Sequence, residues 1–158
     1  MSGEERAEDL FKEAYAAQVA GRLAEAAELY RRSIEILPTA EAHTFLGWTL
    51  SFMGRYAEAI AECRKAIEVD PDFGNPYNDI GAYLIELGRH DEAIPWLRRA
   101  MKAPRYDPRH YPHVNLSRIY VHRHEYDRAI RELERAVALD PGAEYARREL
   151  ARLEARLN

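Results

Sequence analysis

Glycines, alanines and prolines return along this 158-residue chain at a period near 34, and no other feature restricts its fold as much. Gly21, Gly54 and Gly88 each precede an arginine and lie 33 and 34 residues apart. Ala26, Ala59, Ala93 and Ala129 follow at steps of 33, 34 and 36, and Ser33, Ala66, Ala100 and Ala136 keep the same steps. Pro38, Pro71, Pro108 and Pro141 close the units. A period of this size means stacked copies of one small unit. Each copy is too small to bury its own apolar face and must cover its neighbour's.

The unit is helical. Each holds two stretches of about 14 residues with apolar residues at i, i+3, i+4 and i+7, which lines one face of a helix. The spacing predicts helices over 4–20, 23–37, 40–53, 56–69, 74–87, 90–103, 112–123, 126–139 and 143–157. The three glycines supply turns where φ is positive. The prolines stop the second helices, because the residue before proline disfavours helical backbone. Pro76 and Pro112 open first helices, and Asn75 reads as an N-cap. Of the residues, 47% are hydrophobic and 25 are alanine, small pieces suited to close helix approach. The ninth helix carries Ala146, Leu150, Leu153 and Leu157 on one stripe. A stack must cover its open end, so this helix is expected to cap it; docking onto a second copy is the alternative.

The lettering resembles the tetratricopeptide repeat, W-x2-L-G-x2-Y followed by A-x3-F, A and P. The second unit reads His43-x2-Leu46-Gly47-x2-Leu50, then Ala59-x3-Cys63, Ala66 and Pro71. The third reads Tyr77-x2-Ile80-Gly81-x2-Leu84, then Ala93-x3-Leu97 and Ala100. The fourth reads His113-x2-Leu116-Ser117-x2-Tyr120, then Ala129-x3-Leu133, Ala136 and Pro141. The first is loosest, with Leu10, Ala14, Ala26-x3-Tyr30, Ser33 and Pro38. The resemblance implies an all-α, right-handed superhelical solenoid: a single domain over 1–158, with four helix-turn-helix repeats near 7–39, 40–73, 74–109 and 110–142, and a capping helix over 143–157. It also implies a concave groove lined by the first helices that binds a segment of another protein. The family's groove positions fall on Phe11, Tyr15, Thr44, Trp48, Phe52, Asn75, Asn78, Tyr111, Arg118 and His122, which are the expected partner-binding residues. Phe11, Tyr15, Trp48 and Phe52 exceed what the packing positions require. They serve either as binding anchors or as packing between first helices.

Charge divides along the chain. Residues 1–72 carry 14 acidic and 8 basic residues, and the remainder 13 and 15, giving the total of −4. Within 98–123, seven Arg and Lys face only Asp107. This patch, with Arg118 in the groove, suggests a partner segment with apolar and acidic residues. The same stretch holds the break in the period, a three-residue insertion within 104–112 that forms either a stiff loop or a helix extension. Cochaperone members of the family grip acidic C-termini with a Lys/Asn/Asn/Lys/Arg clamp. The matching positions here read Phe11, Tyr15, Phe45, Asn75 and Asp79, or one unit later Thr44, Trp48, Asp79, Tyr111 and Asn115. Neither register supplies the lysines. Small tetratricopeptide pilotins are a further likeness, but those carry a lipidation cysteine near the start.

No nucleophile elbow, P-loop or dinucleotide fingerprint occurs, so no enzyme activity, catalytic residue or cofactor is expected. His110, His113, His122 and His124 lack the further ligands of a zinc site, so no metal is expected. Cys63 sits at a packing position, cannot form an internal disulfide and suits a reducing, cytoplasmic compartment. The acidic start has no secretory signal, no stretch is apolar enough for a membrane, and the net charge disfavours nucleic acid. The oligomeric state is monomer or homodimer.

Overall fold

The computed structural model describes residues 1–158. Nine helices follow in order: α1 Gly3–Val19, α2 Leu23–Ile36, α3 Ala40–Phe52, α4 Tyr56–Val69, α5 Asn75–Glu86, α6 His90–Lys102, α7 Tyr111–His122, α8 Tyr126–Leu139 and α9 Glu144–Leu157. They form four packed pairs, α1 with α2, α3 with α4, α5 with α6, and α7 with α8, and each pair stacks on the next. The first helices α1, α3, α5 and α7 also touch in sequence, which makes one continuous wall. The architecture is an all-α solenoid closed by α9 against α8. No helix is long and apolar enough to cross a membrane.

One apolar core runs the length of the stack, from Leu10 and Ala14 through Leu46, Ile80, Leu97 and Ile119 to Leu153. The alanines Ala26, Ala59, Ala93 and Ala129 are fully enclosed. They lie where the second helix of a pair meets the first, so nothing larger fits at that approach. The paired turns use left-handed backbone at Gly21, Gly54 and Gly88, with φ of 81°, 75° and 74°. The fourth turn places His124 there, at φ 60°.

Every helix boundary falls within one residue of the spacing-based expectation, and two local expectations need correction. Asn75 is not the N-cap of α5. It is the first helical residue, Gly74 precedes it, and no side chain caps this end. Pro108 does not stop α6. Helices α2, α4 and α8 each end two residues before a proline, Pro38, Pro71 and Pro141, with an extended residue between. For α6 the proline in that place is Pro104, after extended Ala103. The extra residues of the third unit therefore follow the helix stop, and the insertion is a loop and not a helix extension.

That loop, 103–110, is tied down. Gly74 N donates to Arg105 O at 2.9 Å and Arg105 N to Asp72 O at 3.1 Å, a two-bond bridge to the α4–α5 connection. Arg105 also pairs with Glu41 and Asp70, and its guanidinium lies 4.8 Å over the Phe73 ring. Tyr106 is buried beside Tyr77, Ala100 and Ala103. Its ring lies so close to Gly74 that a Cβ there would stand 2.4 Å from the Tyr106 Cβ.

Candidate functional site

Helices α3 and α5 and the 103–110 loop enclose a concavity of about 510 Å³ on the wall of first helices. Its aromatic lining is Phe45, Trp48, Phe73, Tyr106 and Tyr111, joined by Pro108. Its polar lining is Thr44, Asn75, Asn78 and Asp79. Beyond the rim the aromatic surface continues as a ladder of rings. Tyr15 packs edge-on to Phe45 at 5.9 Å, Phe45 to Trp48 at 5.9 Å, and Trp48 meets Phe52 at 5.1 Å. Tyr15 is 46% exposed, Trp48 40%, Phe52 58% and Tyr111 49%. Large rings left this open on one contiguous strip are surplus to the core and offer apolar area at low entropic cost.

The expected groove residues divide into three groups. Tyr15, Trp48, Phe52, Asn75 and Tyr111 present free surface on or beside the concavity. Phe11 turns inward and packs edge-on against Tyr30 and Phe45, 5.5 and 5.3 Å away, so it supports the ladder from beneath. Thr44 and Asn78 lie in the floor, nearly buried. The Thr44 hydroxyl donates to Ala40 O at 2.7 Å, and Asn78 Oδ1 accepts from Asn115 Nδ2 at 2.9 Å. His122 lies away from the concavity, with its ring 4.5 Å from that of His90 on α6.

Arg118 is the main correction. Its guanidinium donates to Glu86 Oε1 at 2.8 Å and to Asn115 Oδ1 at 3.2 Å, so it is not a free cation awaiting an acidic ligand. Four more of the seven basic side chains in the 98–123 patch are similarly engaged. Arg105 holds Glu41 and Asp70, and Arg123 holds Asp91. Arg109 donates to the carbonyls of Met101, Ala103 and Pro104 at the end of α6. Arg99 lies over the rings of Tyr77 and Trp96. Arg105, Arg118 and Arg123 are thus paired with acids that lie 32 to 64 residues away in the chain.

Five residues of the concavity, Phe45, Phe73, Asp79, Tyr106 and Pro108, were missing from the expected set. Phe45 and Asp79 occupy the same position in α3 and α5, and helix spacing alone could have placed them on the groove. Phe73 and Tyr106 belong to connections, where the repeat pattern carries no signal. Asp79 stands apart chemically. It has no ion-pair partner, and burial raises its carboxyl to about 7 against the pull of the Asn78 amide. It keeps some exposed surface, onto the cavity, and is otherwise enclosed.

Three of the histidines lie against carboxylates. His43 Nδ1 lies 2.8 Å from Glu62 Oε2, and His113 Nδ1 2.7 Å from Glu132 Oε2. Burial would raise both carboxyls, but the hydrogen bonds from His43 and Lys65, and from His113 and Arg135, hold them below the ordinary value. His110 faces Asp140 at 3.7 Å. No group of three or more His, Cys, Asp or Glu side chains converges on a point.

Tetratricopeptide repeat models match residues 10–32, 40–73, 62–94 and 110–143, which together span most of the chain. The chain belongs to the tetratricopeptide repeat family. Among its relatives, a Protein SGT1 homolog of Oryza sativa subsp. japonica is 40% identical over 88 residues, 55% of this chain and 24% of that protein. The Small glutamine-rich tetratricopeptide repeat-containing protein 2 of Mycosarcoma maydis is 32% identical over 91 residues, 56% of this chain and 26% of that protein. The chain thus spans about a quarter of the length of these relatives. Among solved structures, Pseudomonas aeruginosa PilF superposes with a TM-score of 0.88 at 23% identity, covering 98% of this chain and 70% of that one. PilW, a type IV pilus biogenesis factor, gives 0.84 at 19% identity, covering 94% and 69%. MamA gives 0.73 at 21%, covering 94% and 81%. At these identities the likeness carries the solenoid fold and nothing further. Tetratricopeptide repeat proteins are protein-interaction modules, and this chain is one of them.

Proposed function

We propose that this protein is an adaptor that holds an extended or helical segment of a partner protein along its concave wall. The single observation that carries the reading is the strip Tyr15–Trp48–Phe52, open to solvent and continuous with a cavity large enough to seat a side chain. Trp and Tyr in such positions act as anchors, because they bury much area and lose few rotamers. The apolar part of the expected ligand keeps this support. The acidic part loses its support, since Arg118 and Arg105 already hold carboxylates.

Capture of partners from native extract tests the reading, with wild type compared against Trp48→Ala. Trp48 is half-open and its removal leaves the core intact, so the variant should stay folded by circular dichroism while losing at least tenfold in capture, as expected for a central aromatic anchor. Undiminished capture by the folded variant would sink the proposal.

Self-association is the second reading. It is supported by Tyr145 and Leu157 of α9, which remain exposed.

A further inference from the structure

We propose that the cavity between α3, α5 and the 103–110 loop receives a cationic side chain of the partner segment, an arginine guanidinium or lysine ammonium, paired with Asp79 and walled by aromatic rings. This inference rests on the adaptor reading and specifies what the groove selects.

The arginines that border the concavity are already matched: Arg105 with Glu41 and Asp70, Arg118 with Glu86 and Asn115. Arg109 is held by three carbonyls. An anion entering here would find no free cation and one carboxylate. Asp79, in contrast, lines the cavity and pairs with no Lys, Arg or His of its own chain. Enclosing an unpaired carboxylate is costly unless a partner compensates it. The compensating group must therefore come from outside or be a proton.

The walls point the same way. Phe45, Trp48, Tyr106 and Tyr111 surround the approach to Asp79. Aromatic faces attract cations, most strongly where water is excluded. The same wall already shows this contact, with the Arg105 guanidinium 4.8 Å over Phe73. An aliphatic stem ending in a positive group would lay its methylenes on Trp48 and place its charge at Asp79. Thr44 and Asn78 have their hydrogen bonds spent internally, so the floor offers the newcomer one strong acceptor.

Protonation supplies an independent handle. Asp79 lies near 7, so a bound cation must compete with a proton. The titratable groups facing it are Cys63 from α4, Tyr83 from α5, and Tyr106 from the loop, all pushed upward by burial and neutral through this range. Tyr111 faces the cavity from α7. Helix α3 presents Thr44, Phe45 and Trp48, which do not titrate, and α6 contributes nothing to the wall.

The test uses the full chain and three blocked tripeptides, leucine–arginine–leucine, its neutral citrulline isostere, and leucine–glutamate–leucine. The Trp48 indole N–H signal is followed by NMR. The expected result is saturable movement with the arginine probe, with affinity at least fivefold above that for citrulline and glutamate, a loss of about tenfold in Asp79→Asn, and a drop of about tenfold from pH 8 to pH 6 in wild type. Equal binding of the citrulline or glutamate probe, no loss in Asp79→Asn, or no saturation by about 20 mM of the arginine probe overturns the proposal. The adaptor reading is judged separately. If Trp48→Ala abolishes capture of the cellular partner while Asp79→Asn leaves it intact, the groove binds and the cation inference alone has failed.

Discussion

At the scale of single residues, one contact is rewritten in every repeat. The residue in the Trp position of the first helix meets the residue 19 further on, in the second helix. The pairs are His43 with Glu62, Tyr77 with Trp96, and His113 with Glu132, and in the first repeat the two positions hold Leu10 and Leu29, both in the apolar core. Apolar, aromatic and hydrogen-bonded solutions all fit, because the site needs matched partners and not a given chemistry. Asp79 is the residue without such a match. Its carboxyl is raised from 3.8 to about 7, so between those values the folded chain keeps a proton that the unfolded chain has released. The stability it contributes is fully present below pH 4 and is lost as pH rises through 7, at up to ~1.4 kcal/mol per pH unit. Asp79→Asn removes this dependence. Urea unfolding at pH 5 and pH 8 should show the variant gaining further on wild type at the higher pH.

At the scale of elements, helix pairs are limited by how closely they approach. Gly81 of α5 faces Leu97 of α6, and a Cβ on it would stand 2.4 Å from Leu97 Cδ2 and 2.6 Å from Cγ. Leu97 is fully buried and cannot swing aside. Gly81→Ala is therefore expected to destabilise by about 1–3 kcal/mol despite alanine's better helix propensity, a net loss that thermal melting will register. Ser117 fills the equivalent place in α7, and its hydroxyl donates to Val114 O at 2.6 Å. The 103–110 loop shows the other role of a tight approach. It is ordered because Gly74 lets Tyr106 lie against the α4–α5 connection, and this places Tyr106, Pro108 and Tyr111 on the cavity wall.

At the scale of the whole molecule, stability is a chain of nearest-neighbour interfaces, and the end repeats are the exposed ones. Helix α9 turns Ala146 and Leu153 fully inward and packs Leu150 against the same core, leaving charged residues outward. That arrangement consumes the apolar stripe which would otherwise drive pairing of two chains. Light scattering is accordingly expected to return the mass of one copy, 18.3 kDa. A mass twice that would favour self-association through the remaining exposed Tyr145 and Leu157.

The stacking and the helix boundaries were readable from the residues. They depend on period and local backbone preference, which a linear chain displays: glycine at three of the four left-handed turns, alanine where each pair of helices meets, proline after each second helix. The floor of the cavity was not. Arg118 reads as a free groove cation until Glu86 arrives from the previous repeat 32 residues earlier. Arg105 reads as part of a basic patch until Glu41 meets it across 64 residues. Tyr106 and Phe73 sit in connections where no pattern repeats, yet they wall the site. Electrostatic partnership depends on distance in space, and a solenoid brings neighbours together across tens of residues of sequence. The periodicity thus defines the wall, while the folded arrangement sets its chemistry and leaves Asp79 as the unpaired charge within it.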